Sequence, residues 1–393
     1  MFEQMQKAEG DKILALMGLY RADERANKID LGVGVYKDSQ GQTPIMTSIG
    51  KAENWQISHQ ASKTYVGLAG DVGFNDAITR LALGNDYDKS RIRTQQAPGG
   101  SGALRIIAEM LAGAKEGATI WVPDPTWPNH MPIFGTAGLT IKTYPYFNAE
   151  TGQVRFDDMA EALKAIPEQD IVLLHGCCHN PTGANLTIDE WKIVGEILVE
   201  RNLLPFIDIA YQGFGDGLEA DAAGLRHLAG VVPEMVVALS CSKNFAVYCD
   251  RVGAAILMGR NGDEADKAIS QLALVARKSY SMPPNHGAAV VRTILESDEL
   301  RGEWQTELES MRLRMLTLRT GLADALRQKT NSERFDFVAE HRGMFSRLGL
   351  TTAQVDQLRE QHAIYMVGDS RINVAGLPDD GLDELAAAIA SVL

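Results

Sequence analysis

Lys243 stands in Ser240-Cys241-Ser242-Lys243-Asn244-Phe245, directly after the apolar run Met235-Val236-Val237-Ala238-Leu239. Arg251 follows eight residues later, in Asp250-Arg251-Val252-Gly253. A lysine on a short, crowded loop at a strand end differs from one on a helix surface. Partial desolvation there disfavours the ammonium and leaves the amine as a nucleophile. Ser240, Ser242 and Arg251 supply donors suited to a phosphate. An amine beside a phosphate site suits pyridoxal 5'-phosphate (PLP) held as a Schiff base. Most lysines are solvated charges and Ser-x-Ser-Lys is a short pattern, so the rest of the chain decides.

A second phosphate-type feature is Ala97-Pro98-Gly99-Gly100-Ser101-Gly102-Ala103-Leu104, which opens an apolar-periodic helix. Glycines and a serine there expose free N–H groups at the positive end of the helix dipole, although an ordinary serine cap reads the same way. Asp208 lies inside Pro205-Phe206-Ile207-Asp208-Ile209. A carboxylate in an apolar strand needs a partner, and a protonated ring nitrogen would be one. Tyr211 and Asn180 offer donors for a phenolic oxygen, and Trp127 offers a flat face for stacking. Taken singly these are equally a structural ion pair, a core tyrosine, a turn asparagine and a packed tryptophan. Their order along the chain makes coincidence a poor explanation.

The elements that would carry these residues alternate. Thr119–Val122, Ile171–Leu174, Leu204–Ile209, Met235–Leu239 and Gly253–Leu257 read as short buried strands, with helical patterns such as Asp189–Arg201 between several of them. This is the pattern of an α/β unit with a mainly parallel sheet flanked by helices. Ligands sit at the carboxyl ends of such strands, where Trp127, Asn180, Asp208, Tyr211 and Lys243 fall. Towards the N-terminus, residues 1–11 read as an arm, Lys12–Lys28 as a helix and Ile29–Tyr36 as a short strand with Gly32 and Gly34. Tyr65 lies in a loop, as packing or as a hydroxyl donor. Beyond Asp263 come a helix, a break at Arg277–Pro284, a helix His286–Leu295 and a long helix from Glu303 to about Gln328. Strands are expected at Phe335–Ala339, Met344–Leu348 and Tyr365–Val367, then a terminal helix. The expected division is a large domain over 45–310 and a smaller α+β domain built from 12–44 and 311–393.

Composition narrows the classes. The chain has 393 residues, 45% hydrophobic and 23% charged, which suits a globular protein with a sizeable core. Its net charge of −13 argues against a general nucleic-acid or anionic-membrane partner. The four cysteines, Cys177, Cys178, Cys241 and Cys249, have no zinc-type spacing, and neighbours such as Cys177-Cys178 form no usual structural disulfide. Buried reduced thiols in a cytoplasmic protein are expected. The first ten residues lack an apolar signal core, and no run approaches the roughly 18 apolar residues of a membrane helix.

Taken together, these residues resemble the PLP-dependent class I aminotransferases, fold type I, of the aspartate aminotransferase subfamily. The resemblance runs over nearly the whole chain. It is carried by Leu31-Gly32-Val33-Gly34-Val35-Tyr36, Gly99–Leu104, Thr126-Trp127-Pro128-Asn129-His130, His175-Gly176-Cys177-Cys178-His179-Asn180-Pro181-Thr182-Gly183, Ser242-Lys243-Asn244 with Arg251-Val252-Gly253, and Ser370-Arg371-Ile372-Asn373. The wording at 183–187, 339–346 and 365–371 is most similar to the bacterial aromatic-amino-acid aminotransferases.

The resemblance implies that Lys243 carries PLP, Asp208 pairs its ring nitrogen, Asn180 and Tyr211 bind its phenolic oxygen, and Trp127 stacks on the ring. Gly100, Ser101, Ser240, Ser242 and Arg251 would hold the phosphate, with Tyr65 arriving from a neighbouring subunit. Arg371, helped by Gly34 and Asn180, would clamp the substrate α-carboxylate. Arg277, again from the neighbour, would meet a distal carboxylate. A homodimer with shared sites follows. The implied reaction is a ping-pong exchange of an amino group between amino acids and 2-oxo acids.

Met282 departs from the family, which commonly has asparagine there. A flexible apolar side chain beside Arg277 points to aromatic as well as acidic substrates. The alternative is an aspartate aminotransferase with little aromatic activity. A decarboxylase or β-lyase would share the cofactor shell, but the paired arginines favour transamination. A PLP-fold regulator would want a basic helix-turn-helix extension, and a dehydrogenase would want the glycine fingerprint; neither is present.

Overall fold

The computed structural model describes residues 1–7, 10 and 12–393. The expected arm over 1–11 lies partly outside the described residues; within it Phe2–Gln4 forms one 3-10 turn. Among the described residues the main sheet has seven strands. Their order is Ile92–Pro98, Val252–Met258, Met235–Ser240, Leu204–Ile209, Ile171–His175, Thr119–Asp124 and Thr140–Pro145. Val252–Met258 runs antiparallel to both neighbours and the other pairs are parallel. All six residues of Met235–Ser240 are buried, as a strand covered on both faces requires. Helices on either side close the layers. Ile188–Glu200 starts where it does because Thr187 and Glu190 form a reciprocal capping box.

Two strands go beyond the sequence expectation. Ile92–Pro98 contains Arg93-Thr94-Gln95-Gln96, too polar to read as a core strand, yet Gln95 and Gln96 are buried. Gln96 spends its amide on neighbours: it accepts from Asp71 N at 2.8 Å and donates to the Pro284 carbonyl at 2.7 Å. Thr140–Pro145 is an edge strand with one largely exposed face.

Two expected strands are corrected. Ile29–Tyr36 is a strand only over Ile29–Asp30, paired with Ile364–Tyr365. Beyond Asp30, side chains take the carbonyls that a ladder would use. Arg371 donates to Gly32 O, and Asn373 donates to Val33 O and Val35 O. Phe335–Ala339 is not a strand; Phe337–Glu340 is a helical turn, closed by His341 N donating to Phe337 O. The N-terminal helix spans Lys12–Ala22, shorter than expected, and Gly262–Ser279 carries Arg277 in its last turn.

A second core joins both chain ends: Leu31, Phe335, Val355, Ile372, Leu385 and Ile389 pack with Leu318, Leu322 and Leu326. The long helix, Asp298–Thr330, belongs to both cores. It gives Trp304, Leu308, Met311 and Met315 to the sheet side and Leu318 onward to the second core. It begins earlier than expected because Ser297 caps it, accepting from Leu300 N.

Several histidines are buried as neutral bases. Burial holds His341 and His175 down to about 3 and pushes His179 well below its ordinary value. Above about pH 6.5 both folded and unfolded states leave them neutral. Below it, the unfolded chain takes up protons that the fold refuses, so stability falls by up to about 1.4 kcal/mol per pH unit for each such histidine. The thermal unfolding temperature is therefore expected to drop steadily from pH 6.5 towards 4. His341→Asn should make that drop shallower, and an unchanged pH slope in this variant would contradict the assignment.

Candidate active site

One cavity of about 290 Å³ gathers Gly34, Gly100, Ser101, Trp127, Asn180, Asp208, Tyr211, Ser240, Ser242, Lys243, Arg251 and Arg371. Two expected site residues do not reach it: Tyr65 is 85% exposed on the surface, and Arg277 is exposed and donates to Ser281 Oγ. A larger cavity of about 820 Å³, lined by Arg80, Asp86, Arg226 and Arg301 among others, holds none of these residues.

The anion end is built by close backbone approach. Strand Ile92–Pro98 turns directly into helix Gly99–Ala114, whose first turn offers the free N–H groups of a helix start. Gly99 has φ +72, and a Cβ there would lie 2.5 Å from Arg251 Nη2. A Cβ on Gly100 would lie 2.9 Å from the Ser240 Cβ. Only glycines let the arginine and the serine come this near. Arg251 is aimed by donating to Tyr248 O at 3.0 Å and Ser242 Oγ at 3.4 Å.

Lys243 follows strand Met235–Ser240 on a loop anchored from below. Trp304 Nε1 donates to Asn244 O at 2.7 Å, and its ring stacks on Phe245 at 4.4 Å. The Lys243 Nζ lies 5.2 Å from the Tyr211 ring centre. Burial draws its pKa down to about 8, helped by Arg251 and opposed by Asp208. Below that value the side chain is an ammonium; above it the amine is free. The rate at which apoprotein captures PLP is expected to rise with pH to about 8 and then level off. The growth of the visible band after mixing measures it, and a flat rate from pH 6 to 9 would contradict this geometry.

Asp208 comes from strand Leu204–Ile209. Burial alone would raise its carboxyl, but the hydrogen bond from His130 and the charge of Lys243 hold it below the usual value. A relay runs outward from it. His130 Nε2 lies 3.0 Å from Asp208 Oδ2, His130 Nδ1 lies 2.8 Å from Thr126 Oγ1, Thr126 Oγ1 lies 3.2 Å from His175 Nε2, and Asn180 N donates to His175 Nδ1 at 3.3 Å. An ionised carboxylate only accepts and a backbone N–H only donates, so both ends fix every hydrogen between them. His130 donates to Asp208, Thr126 to His130, and His175 to Thr126. His130, Thr126 and His175 carry no role in the sequence reading. The signal was the need of Asp208 for a partner, which was given wholly to a ring nitrogen.

At the other end, Asn180 Nδ2 donates to the Tyr211 hydroxyl at 3.4 Å, and burial pushes the Tyr211 phenol up, keeping it protonated. Arg371 is buried, donates through Nη2 to Gly32 O at 2.9 Å, and lies 4.5 Å from the Phe345 ring centre. A Cβ on Gly34 would meet Phe345 Cζ at 2.9 Å. Phe345 is thus the floor of the guanidinium, a role not read from sequence.

These residues fit PLP on their own geometry. The glycine cradle at 99–100 leaves room where an anion meets Arg251, Ser240 and Ser242. Asn180 Nδ2 and the Tyr211 hydroxyl, in the same cavity, are the donors that a phenolic oxygen would need. The ionised carboxylate of Asp208 and the desolvated Lys243 line the same cavity.

Comparison with known proteins agrees. The family described as aminotransferase class I and II matches residues 26–389. The aromatic-amino-acid aminotransferase of Paracoccus denitrificans is 51% identical over 382 residues, 97% of this chain and 97% of that one. The aspartate aminotransferase of Escherichia coli K12 is 44% identical over 396 residues, covering 100% of both. The crystal structure of the aromatic-amino-acid aminotransferase from Burkholderia pseudomallei, covalently bound to pyridoxal phosphate, matches with a TM-score of 0.97 at 42% identity over 100% of this chain and 99% of that one. A desolvated lysine, an ionised carboxylate and a glycine-lined cradle thus share one cavity of a PLP-dependent transaminase, and the chain belongs to the class I and II aminotransferases.

Proposed function

We propose that this transaminase moves the amino group between aromatic L-amino acids, with aspartate and glutamate as further donors, and 2-oxo acids such as 2-oxoglutarate, in a ping-pong cycle. When bound, PLP supplies an electron sink for the charge that develops at the substrate Cα. The rest falls to side chains. Gly100, Ser101, Ser240, Ser242 and Arg251 hold the phosphate, and Trp127 stacks on the ring. Asp208 keeps the ring nitrogen protonated, and Asn180 and Tyr211 donate to the phenolic oxygen. Arg371 binds the α-carboxylate through its planar fork. Lys243 first carries the cofactor, then moves the proton at Cα as base and acid.

One observation carries the aromatic preference. The guanidinium of Arg371 rests on Phe345, and the same cavity is walled by Trp127, Leu104 and Ile13, so a cationic clamp opens onto apolar surface. The names of the relatives from Paracoccus denitrificans and Burkholderia pseudomallei support the same reading. Arg277 favours the second reading, an aspartate aminotransferase, but Met282 beside it lets the pocket take rings too. A steady-state panel of amino donors against 2-oxoglutarate tests this. Phenylalanine and tyrosine should reach kcat/KM within about a hundredfold of aspartate, the range that pocket contacts of this kind set. A gap of several further orders would leave aspartate transamination alone.

The working form on this reading is a homodimer. Tyr65 and Arg277 lie on the surface of the single chain, and each completes the other subunit's cavity, Tyr65 at the phosphate and Arg277 at a distal carboxylate. The large domain covers 45–310, and 12–44 with 311–393 form the small one, in keeping with the second core. No described helix is long and apolar enough to cross a membrane. The cytoplasm, where four unpaired cysteines stay reduced, is the proposed location.

A further inference from the structure

Cys177 and Cys178 lie outside the machinery described so far, on the turn between strand Ile171–His175 and Asn180. Their two sulfurs and a carboxylate oxygen of Asp221 all lie within 4.8 Å of one another. Both thiols are buried. Cys177 nevertheless lines the catalytic cavity and also a second cavity of about 90 Å³ behind it, so a small reagent can reach it. Asp221 is already engaged: it accepts from the backbone N–H groups of Gly213, Gly215 and Asp216, each at 2.8 Å. With three of roughly four lone-pair sites taken, it is a poor third ligand for a divalent ion. The fitting occupant is one satisfied by two sulfurs.

We propose that the vicinal thiols of Cys177 and Cys178 form a binding site for monosubstituted trivalent arsenicals, through which the transaminase is reversibly inactivated. In the binding step two S–H bonds and one As=O bond give two As–S bonds and one water. Both thiol protons leave on the oxide oxygen, and neither arsenic nor sulfur changes oxidation state. The buried guanidinium of Arg319 assists. It donates to Val338 O, Gly343 O, Phe345 O and Ser346 Oγ, and its charge offsets part of the rise that burial imposes on the Cys178 thiol, as the bond with Cys177 also does; both thiols stay protonated until the arsenic takes them.

Inactivation follows from how tightly the turn is held. Cys178 sits at φ +51, and a Cβ on Gly343 would come within 2.4 Å of the Cys178 Cβ. Drawing the two sulfurs onto one arsenic therefore moves the turn or the bend at Gly343, which leads into strand Phe345–Arg347. The turn carries Asn180, bonded to Tyr211; the strand carries Phe345, the floor of Arg371.

The test uses PLP-loaded enzyme and phenylarsine oxide. Intact mass should show one phenylarsenic adduct per chain, mapped to the Cys177-Cys178 peptide, with activity falling in proportion to the adduct. 2,3-Dimercaptopropanol should remove the adduct and restore activity, whereas 2-mercaptoethanol at equal thiol should not. Cys177→Ala and Cys178→Ala should each abolish the adduct, so either suffices if the other fails to fold. Cys249→Ser should leave the adduct in place. The proposal is overturned by the absence of an adduct, by an adduct at Cys249 alone, by one that persists in Cys178→Ala, or by one that forms with full activity retained. Because mass reports binding without turnover, the outcome is independent of which amino acids the enzyme prefers.

Discussion

Lys243→Ala is expected to lower kcat/KM for every amino donor by about 10⁴-fold or more, the upper range for losing a positioned general acid and base, since the covalent anchor is lost with it. Nothing nearby can substitute. Tyr211 is held protonated by burial, and Arg251 and Arg371 are guanidiniums committed to neighbours. The variant should still fold and bind PLP, because Ser240, Ser242, Arg251 and the Gly99–Gly100 cradle are untouched. Two measurements separate these claims. Borohydride treatment followed by mass analysis should leave a cofactor adduct on the native chain and none on the variant. Single-turnover mixing with an amino acid should show the visible band changing far more slowly. An adduct at another residue, or activity within tenfold of native, would remove the foundation of the proposed mechanism.

Asp208→Asn is expected to cost about 2–5 kcal/mol in transition-state stabilisation, roughly 30- to 5,000-fold in kcat/KM, the range for removing one member of a buried charge pair. The amide keeps the shape but not the charge that would hold a ring nitrogen protonated. It can also donate, and so ends the fixed direction of the hydrogen bond from His130. Asp208→Glu, which keeps the charge, should recover part of the loss. A purely structural role predicts the reverse, with asparagine tolerated and the longer glutamate harmful. The comparison of the two variants at matched thermal stability decides the matter.

The sheet was legible where the strands are apolar and short. Leu204–Ile209 was read with its observed bounds, and Met235–Ser240 ended one residue later than expected. The strand Ile92–Pro98 was not legible because its two glutamines are buried, Gln96 by hydrogen-bonding to Asp71 and Pro284, a tertiary arrangement that polarity disguises. Ile29–Tyr36 was over-read for the opposite reason. Its apolar alternation is real, but Arg371 and Asn373, more than 300 residues away, take its carbonyls. In the cavity, the residues legible in the sequence are those whose chemistry is unusual for their surroundings, such as Lys243 and Asp208. His130, Thr126, His175 and Phe345 act through other residues, and no local pattern marks a side chain whose importance is the orientation of another.

The relay from Asp208 to Asn180 has a further consequence. Its hydrogens can be arranged in only one way, so reversing any link means reversing all. Asn180 faces the end of the cavity where Tyr211 and Arg371 lie, and Asp208 is the counter-charge at the other. A shift in the Asn180 backbone, as when a carboxylate docks beside it, therefore alters the polarisation reaching Asp208 without any ion moving. On the proposed function, occupancy at one end of the pocket is passed to the other through four aligned donors, so that electron demand in the cofactor and seating of the substrate would be tuned as a single circuit.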